Sequence, residues 1–247
     1  SGKTLVGEYA IHRALAHGQK VFYTTPLKAL SNQKLRDFRE AYGDDNVGLM
    51  TGDLSVNREA SIVVMTTEIF RNMLYAEASE QDDPLADVEA VVLDECHYMN
   101  DSQRGTVWEE SIIHCPPSVQ LVALSATVAN AGQLTDWIEK VHGPTTLVLS
   151  DYRPVPLQFS FCSAKGLHPL LNDAGTGLHP NCKVWRAPKG HKRKGRSAKP
   201  PQPEPPPISF VVAQMAERDM LPAIYFIFSR RGCDKAVRDL GIQCLVN

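Results

Sequence analysis

The chain has 247 residues, 43% of them hydrophobic, which is enough for one sizeable core and the start of a second. It holds no run of 18 or more apolar residues, so no membrane-spanning helix is expected, and its start carries no apolar stretch behind a basic one, so no signal peptide is expected. Six scattered cysteines without a C-x-x-C pair and eight histidines without an H-x-x-x-H pair argue against a zinc site and a disulfide scaffold and for a reducing compartment, while a net charge of −2 does not by itself point to nucleic acid.

In chain order, apolar periodicity predicts a helix over 3–17, a strand over 20–24 and a helix over 27–42. Strands follow over 47–50 and 61–65, then a helix over 67–76. Further strands are predicted over 88–93, 121–124 and 146–149, with helices over 104–114 and 130–142 between them. The strands are almost continuously apolar, the mark of a sheet covered on both faces, so the pattern predicts a parallel α/β lobe. After residue 207 it restarts, with a helix over 208–219, a strand over 223–228 and a helix over 231–240.

Between the two blocks lies a segment of another kind. Residues 182–207 hold eight Lys or Arg against the single acid Glu204, a local charge of +7 that leaves −9 for the remainder. Seven of the 17 prolines fall there too. With few apolar side chains to bury, the segment is expected to be a flexible basic loop with a stiff polyproline end. Two readings stand side by side: a solvated linker, or an electrostatic arm for a phosphate backbone.

The chemistry is concentrated in short motifs. Ser1-Gly2-Lys3-Thr4 is the back half of the phosphate-binding pattern G-x-x-x-x-G-K-[ST]. It opens a helix, so backbone N–H groups and the helix dipole face an anion. Lys3 would reach the β- and γ-phosphates and Thr4 would offer its hydroxyl to Mg²⁺. Alone the tetrapeptide is common in surface turns. Its partner is Asp94-Glu95-Cys96-His97, directly after the apolar run 91–93, at a strand end where open α/β sheets bind ligands. There Asp94 would hold Mg²⁺ and Glu95 would orient and deprotonate an attacking water. Ser125-Ala126-Thr127 follows the strand over 121–124; its hydroxyls would either link to the carboxylate loop or simply start the next helix.

The order of motifs is then informative. Gly2-Lys3-Thr4, Thr25-Pro26-Leu27-Lys28-Ala29-Leu30, Thr51-Gly52-Asp53, Thr66-Thr67-Glu68, Asp94-Glu95-Cys96-His97, Ser125-Ala126-Thr127 and Phe228-Ser229-Arg230-Arg231 run in the sequence expected of superfamily-two helicases, and the D-E-x-H form resembles their DExH branch. The stretches 51–57 and 65–74, and Tyr152-Arg153-Pro154-Val155-Pro156-Leu157, resemble the superkiller-type (Ski-like) RNA helicases. The insertion ahead of Phe226 looks most like the cyanobacterial and chloroplast members, which implies a bacterial cytoplasm or a chloroplast stroma.

The resemblance implies a RecA-like parallel sheet lobe of the P-loop NTPase type over 1–150, a connection over 151–181, the basic insertion over 182–207 and the start of a second RecA-like lobe over 208–247. It implies ATP and Mg²⁺ as cofactors, with Ser1, Gly2, Lys3, Thr4, Asp94, Glu95 and His97 around them, and single-stranded or partly duplex RNA as partner, with DNA possible. The strand's phosphates would run past Thr25, Pro26, Lys28, Thr51, Gly52, Asp53, Thr66, Thr67 and Glu68, and past Ser229, Arg230 and Arg231 of the second lobe, while Ser125 and Thr127 would couple the two sites. The front glycines of the phosphate loop and the arginine finger would lie before Ser1 and after Asn247, so the chain alone is expected to be a catalytically inactive partial motor. Two alternatives remain open: a DNA helicase of the same superfamily, and a nucleic-acid-binding remnant without turnover.

Deletion of 182–207 separates the two readings of the basic segment. As an electrostatic arm its loss flattens the slope of log K against log salt for single-strand binding by about 0.7 per phosphate released. As a linker its loss leaves the slope unchanged.

Overall fold

A computed structural model of the chain describes residues 2–75, 83–126, 128–150, 152, 155–182 and 205–241. The chain divides into two compact units, Ser1–Arg153 and Pro154–Asn247. The +7 segment falls almost entirely outside the described residues.

The first unit alternates helices and strands as the periodicity predicts: α1 (Lys3–Ala16), β1 (Lys20–Thr25), α2 (Lys28–Tyr42), β2 (Val47–Met50), β3 (Ser55–Val56), β4 (Ile62–Thr66), α3 (Thr67–Tyr75), β5 (Val88–Leu93), α4 (Gly105–His114), β6 (Gln120–Ala123) and α5 (Ala131–Val141). The strands form one sheet in the order β3-β2-β4-β1-β5-β6. Every pairing is parallel except that of the two-residue β3 with β2. This is the RecA-like α/β lobe that the sequence leads one to expect.

Strand alternation explains how the lobe closes. In β1, Val21 and Tyr23 point to one face and Phe22 to the other; in β4, Ile62 and Val64 oppose Val63 and Met65. One face is covered by α1 and α2 through Ile11, Ala14 and Phe38, the other by Phe70 of α3, Ile112 of α4 and Ile138 of α5. Both faces are dry, which is why these strands read as unbroken apolar runs.

Parallel pairing also fixes where the motifs go. Thr25 is in register with Thr66, Thr24 with Leu93, Leu93 with Ala123 and Met50 with Met65. The carboxyl ends of β1, β2, β4, β5 and β6 therefore share one edge of the sheet, and each motif singled out in the sequence of this unit begins at such an end or, for Lys3, opens the helix α1.

The second unit contains an antiparallel hairpin, β7 (Ser160–Ser163) and β8 (Gly166–Pro169), followed by α6 (Ile208–Ala216) and α7 (Arg230–Leu240). The side chain of Gln214 in α6 accepts from Leu167 N at 3.4 Å and joins the helix to the hairpin. The hairpin is not predicted from the sequence, because its strands are four residues each and only half apolar.

Two predicted strands do not form. Residues 146–149 and 223–228 are apolar but carry no ladder among the described residues. Val148 and Leu149 are 85% and 72% exposed, Phe226 and Phe228 78% and 103%. A strand exists only with a hydrogen-bonded neighbour. In the first sheet the parallel ladder ends at β6, and in the second unit the described strands are occupied with each other.

Phe38 is 2% exposed and lies edge-on to Tyr23 at 5.1 Å between centroids. Phe38→Ala is expected to destabilise the first unit by about 3–5 kcal/mol in a urea titration.

Candidate functional site

The carboxylate loop is shaped by backbone bonds that continue the sheet beyond its last residues. Leu124 N donates to Leu93 O at 3.0 Å, Asp94 N to Thr24 O at 3.0 Å, and Cys96 N to Leu124 O at 2.8 Å. The chain must then turn sharply, and Glu95 does so in the left-handed region at φ 52, ψ 43. For a residue with a Cβ that conformation costs about 1–2 kcal/mol, the kind of local strain found at functional sites. The turn continues as a 3₁₀ segment, Cys96–Asn100. Cys96 is buried against Val107 and Trp108, and burial pushes its thiol up to about 12, so it is packing and not a nucleophile.

The turn aims the Glu95 carboxylate at the start of α1. Lys3 Nζ lies 3.6 Å from Glu95 Oε2. Gly2 precedes the helix at φ 77, a conformation that suits glycine, so Lys3 stands on the first turn with its ammonium toward that carboxylate. His97 Nδ1 is 3.2 Å from the same Glu95 oxygen, but without hydrogen-bond alignment. Asp94 is held on both sides, by the hydroxyl of Tyr23 at 2.9 Å on Oδ2 and by Glu95 N at 2.9 Å on Oδ1. Thr4 is exposed at the same helix start, with Lys34 Nζ 3.5 Å from its hydroxyl. Ser1 lies outside the described residues.

This set suits a magnesium–nucleotide. Mg²⁺ takes one or two carboxylates and completes its shell with water and substrate phosphates. A hydroxyl at Thr4, a fixed carboxylate at Asp94 and a lysine at a helix start meet that need. No cluster of three or more His, Cys, Asp or Glu forms a separate metal cage among the described residues.

The motifs after β1, β2 and β4 meet beside this site. Arg104, just before α4, donates to Glu68 and, through Nη2, to Pro26 O at 2.6 Å, and so ties the loop after β1 to the start of α3. Lys28 pairs with Asp53, which draws the start of α2 to the turn after β2 and holds the Asp53 carboxyl below its usual range. Thr51 donates to Asp53 Oδ1 at 3.2 Å.

Several expected contact residues turn inward. Thr25 and Thr67 are 1% and 0% exposed; Thr25 shares a 2.7 Å hydrogen bond with Ser31, and Thr67 donates to Thr25 O at 3.2 Å. Their hydroxyls hold loops together and do not face solvent, because at a strand end a buried hydroxyl must find a partner at once. Pro26 and Thr51 are buried as well; Lys28, Gly52 and Asp53 are exposed and Thr66 and Glu68 half-buried. The hydroxyl of Ser125 is buried and makes no hydrogen bond among the described residues, so the link from β6 to the carboxylate loop runs through the Leu124 backbone. Thr127 lies outside the described residues. In the second unit Ser229 caps α7 by accepting from Gly232 N at 3.0 Å, while Arg230 and Arg231 are exposed on the helix's first turn.

Comparison with known proteins decides the family. The DEAD/DEAH box helicase family matches residues 1–134, more than half of the chain. The chain belongs to the DEAD/DEAH box helicases. Within them it is a Ski-like DExH member, as its relatives show. It is 45% identical over 276 residues to the "DExH-box ATP-dependent RNA helicase DExH15 chloroplastic" of Arabidopsis thaliana, covering 96% of this chain and 24% of the relative. It is 44% identical to the "Probable helicase HelY" of Mycobacterium tuberculosis, covering 99% and 28%, and 47% identical over 182 residues to the "Antiviral helicase SKI2" of Saccharomyces cerevisiae, covering 73% and 14%. The chain thus spans about a quarter of the length of the first two of these helicases.

Tyr23, Lys34 and Arg104 escape the sequence reading. Tyr23 reads as one more apolar position in a strand, and Lys34 and Arg104 as surface charges on helices; only the fold shows what each touches. Arg104→Ala is expected to cost about 1–2 kcal/mol of stability, since one charged hydrogen-bond donor to Glu68 and Pro26 is lost at a partly exposed site. Hydrogen exchange should show the loss locally, as faster exchange at 27–31 and 67–71 with β5 unchanged.

Proposed function

We propose that the protein is an ATP-dependent RNA helicase that couples ATP hydrolysis to translocation on RNA and to unwinding. This chain contributes the ATP-binding lobe over 1–150, the connection over 151–181, the basic insertion over 182–207 and the start of the second lobe over 208–247. The observation that carries the reading is the convergence of Lys3 and Glu95, 3.6 Å apart, with Asp94 fixed alongside. Lys3 and Glu95 are 92 positions apart in the chain, and the parallel sheet is what brings them to one edge.

The roles follow from chemistry. Lys3 exchanges its carboxylate partner for the β- and γ-phosphates, and the N–H groups at the start of α1 face the same anion. Thr4 and Asp94 would hold a magnesium ion, which would supply positive charge beside the phosphates. Glu95, released from Lys3, accepts a proton from the attacking water and fixes its direction. His97 stands beside Glu95, its Nδ1 3.2 Å from the carboxylate, at the edge of the nucleotide site. Phosphoryl transfer needs little covalent chemistry from a protein, so placement and charge are sufficient.

The nucleic-acid strand runs over the loops after β1, β2 and β4. Lys28, Gly52, Asp53, Thr66 and Glu68 supply sugar-phosphate contacts without base readout, with Thr25, Pro26, Thr51 and Thr67 shaping the loops beneath. Ser229, Arg230 and Arg231 contribute from the second lobe. The segment 125–127 couples nucleotide to strand, with the Leu124 backbone, not the Ser125 hydroxyl, as its link to the carboxylate loop. RNA is favoured over DNA by the relatives that are themselves named RNA helicases. The plant chloroplast and mycobacterial relatives favour a chloroplast stroma or a bacterial cytoplasm, and no helix among the described residues is long and apolar enough to cross a membrane.

Glu95→Gln in the full-length protein tests the reading. It removes the base and keeps the shape, so ATP affinity is expected to stay near wild type while kcat of RNA-stimulated hydrolysis falls by about 10²–10⁴. Wild-type turnover in that variant contradicts it.

A further inference from the structure

Tyr23 is fully buried in β1, among the residues that α1 and α2 cover. A phenylalanine would fill the same space with no polar group to satisfy, and a buried hydroxyl is costly without a partner. The partner of this hydroxyl is Asp94 Oδ2 at 2.9 Å. The other oxygen, Oδ1, accepts from Glu95 N at 2.9 Å. A carboxylate turns easily about its last torsion. Gripped at both oxygens, from β1 and from its own turn, this one is held in a single plane, with lone pairs left over on each oxygen.

The ring that carries the hydroxyl is itself locked. Phe38 packs against it edge-on at 5.1 Å. On the α1 side Gly7 leaves no spare room, since a Cβ there would meet Tyr23 Cε2 at 2.9 Å. Lys34 Nζ stands 5.4 Å from the ring centroid and 3.5 Å from Thr4 Oγ1, which places a cation between the phenol and the other residue read as a metal ligand.

We propose that Tyr23 is a positioning residue for the metal: its hydroxyl fixes the Asp94 carboxylate in the orientation that holds Mg²⁺ in the magnesium–ATP complex. The inference rests on the reading of Asp94 as the metal-holding carboxylate. Partners of this kind behind a metal ligand raise affinity for the ion by orienting the ligand, and they do so without touching the reacting atoms. Tyr23 therefore governs how much metal the enzyme needs, and not the chemical step once metal is bound.

The test uses the full-length protein with Mn²⁺ as the spectroscopic probe, titrated in the presence of a non-hydrolysable ATP analogue and read by electron paramagnetic resonance. Tyr23→Phe is expected to weaken Mn²⁺ binding about tenfold. Affinity for the analogue without metal stays at the wild-type value. In hydrolysis assays the Mg²⁺ concentration for half-maximal rate rises by the same factor, and saturating Mg²⁺ restores kcat. Gly7→Ala keeps the hydroxyl but displaces the ring, and is expected to shift the metal requirement in the same direction, which covers the case of a poorly folding Tyr23→Phe. Asp94→Asn is the reference and should abolish the metal response. Wild-type Mn²⁺ affinity in Tyr23→Phe, with the response lost in Asp94→Asn, overturns the role of Tyr23 and leaves Asp94 as ligand. A lowered kcat at unchanged Mn²⁺ affinity overturns it equally. An intact metal response in Asp94→Asn overturns the reading of Asp94 on which the inference stands.

Discussion

The structure depends on the hydrogen bonds that carry the sheet past the end of β5. Asp94 N bonds back to β1 and Leu124 N to β5, and Cys96 N returns to Leu124 O. These three bonds lock the turn between two neighbouring strands before it leaves the sheet. A buried backbone group must be paired, so the turn cannot relax without exposing several at once. That is what holds Glu95 in a left-handed conformation and keeps its carboxylate pointed at the start of α1.

From this point the rest of the site follows by connection. β1, which accepts from Asp94 N, also supplies Tyr23 to the Asp94 side chain, and it ends in Thr25, whose carbonyl accepts from Thr67. Its next residue, Pro26, is gripped by Arg104, which leads into α4 behind the carboxylate turn. The carboxylate turn and the loop after β1 thus share one strand, and Arg104 ties that loop to the start of α3. A motor of this family must convert a change at a phosphate into a change at a nucleic-acid surface, and a short path of packed and bonded groups is a physical means of doing so. In this lobe the connections between the ends of the strands are made of backbone and buried hydroxyls; the Ser125 side chain has no partner among the described residues.

Much of the first unit is legible in the sequence, for a definite reason. Strands such as 88–93 and 62–66 are buried on both faces, so burial leaves an unbroken apolar signature, and the helices between them carry a clear stripe. Lys3, Asp94 and Glu95 are legible because their residue types and order have few other uses together. What the sequence hides is of two kinds. Apolar residues over 146–149 and 223–228 carry the composition of strands without a neighbour to pair with, and composition does not encode partners. Tyr23, in contrast, looks like any core aromatic, and Thr25 and Thr67 look like surface contacts. Whether a hydroxyl faces a carboxylate, a carbonyl or water is decided by strand register across the sheet, which no local pattern contains.

In the proposed function the Lys3–Glu95 pair marks the place of the nucleotide's terminal phosphate. A structure of the full-length protein with a non-hydrolysable ATP analogue and Mg²⁺ tests it most directly. The account predicts that Lys3 leaves Glu95 for the β- and γ-phosphates, that the metal lies between Thr4 and Asp94 with the Tyr23 bond to Asp94 kept, and that Glu95 faces the water in line with the γ-phosphate. A nucleotide bound elsewhere, with the Lys3–Glu95 pair unbroken, contradicts it.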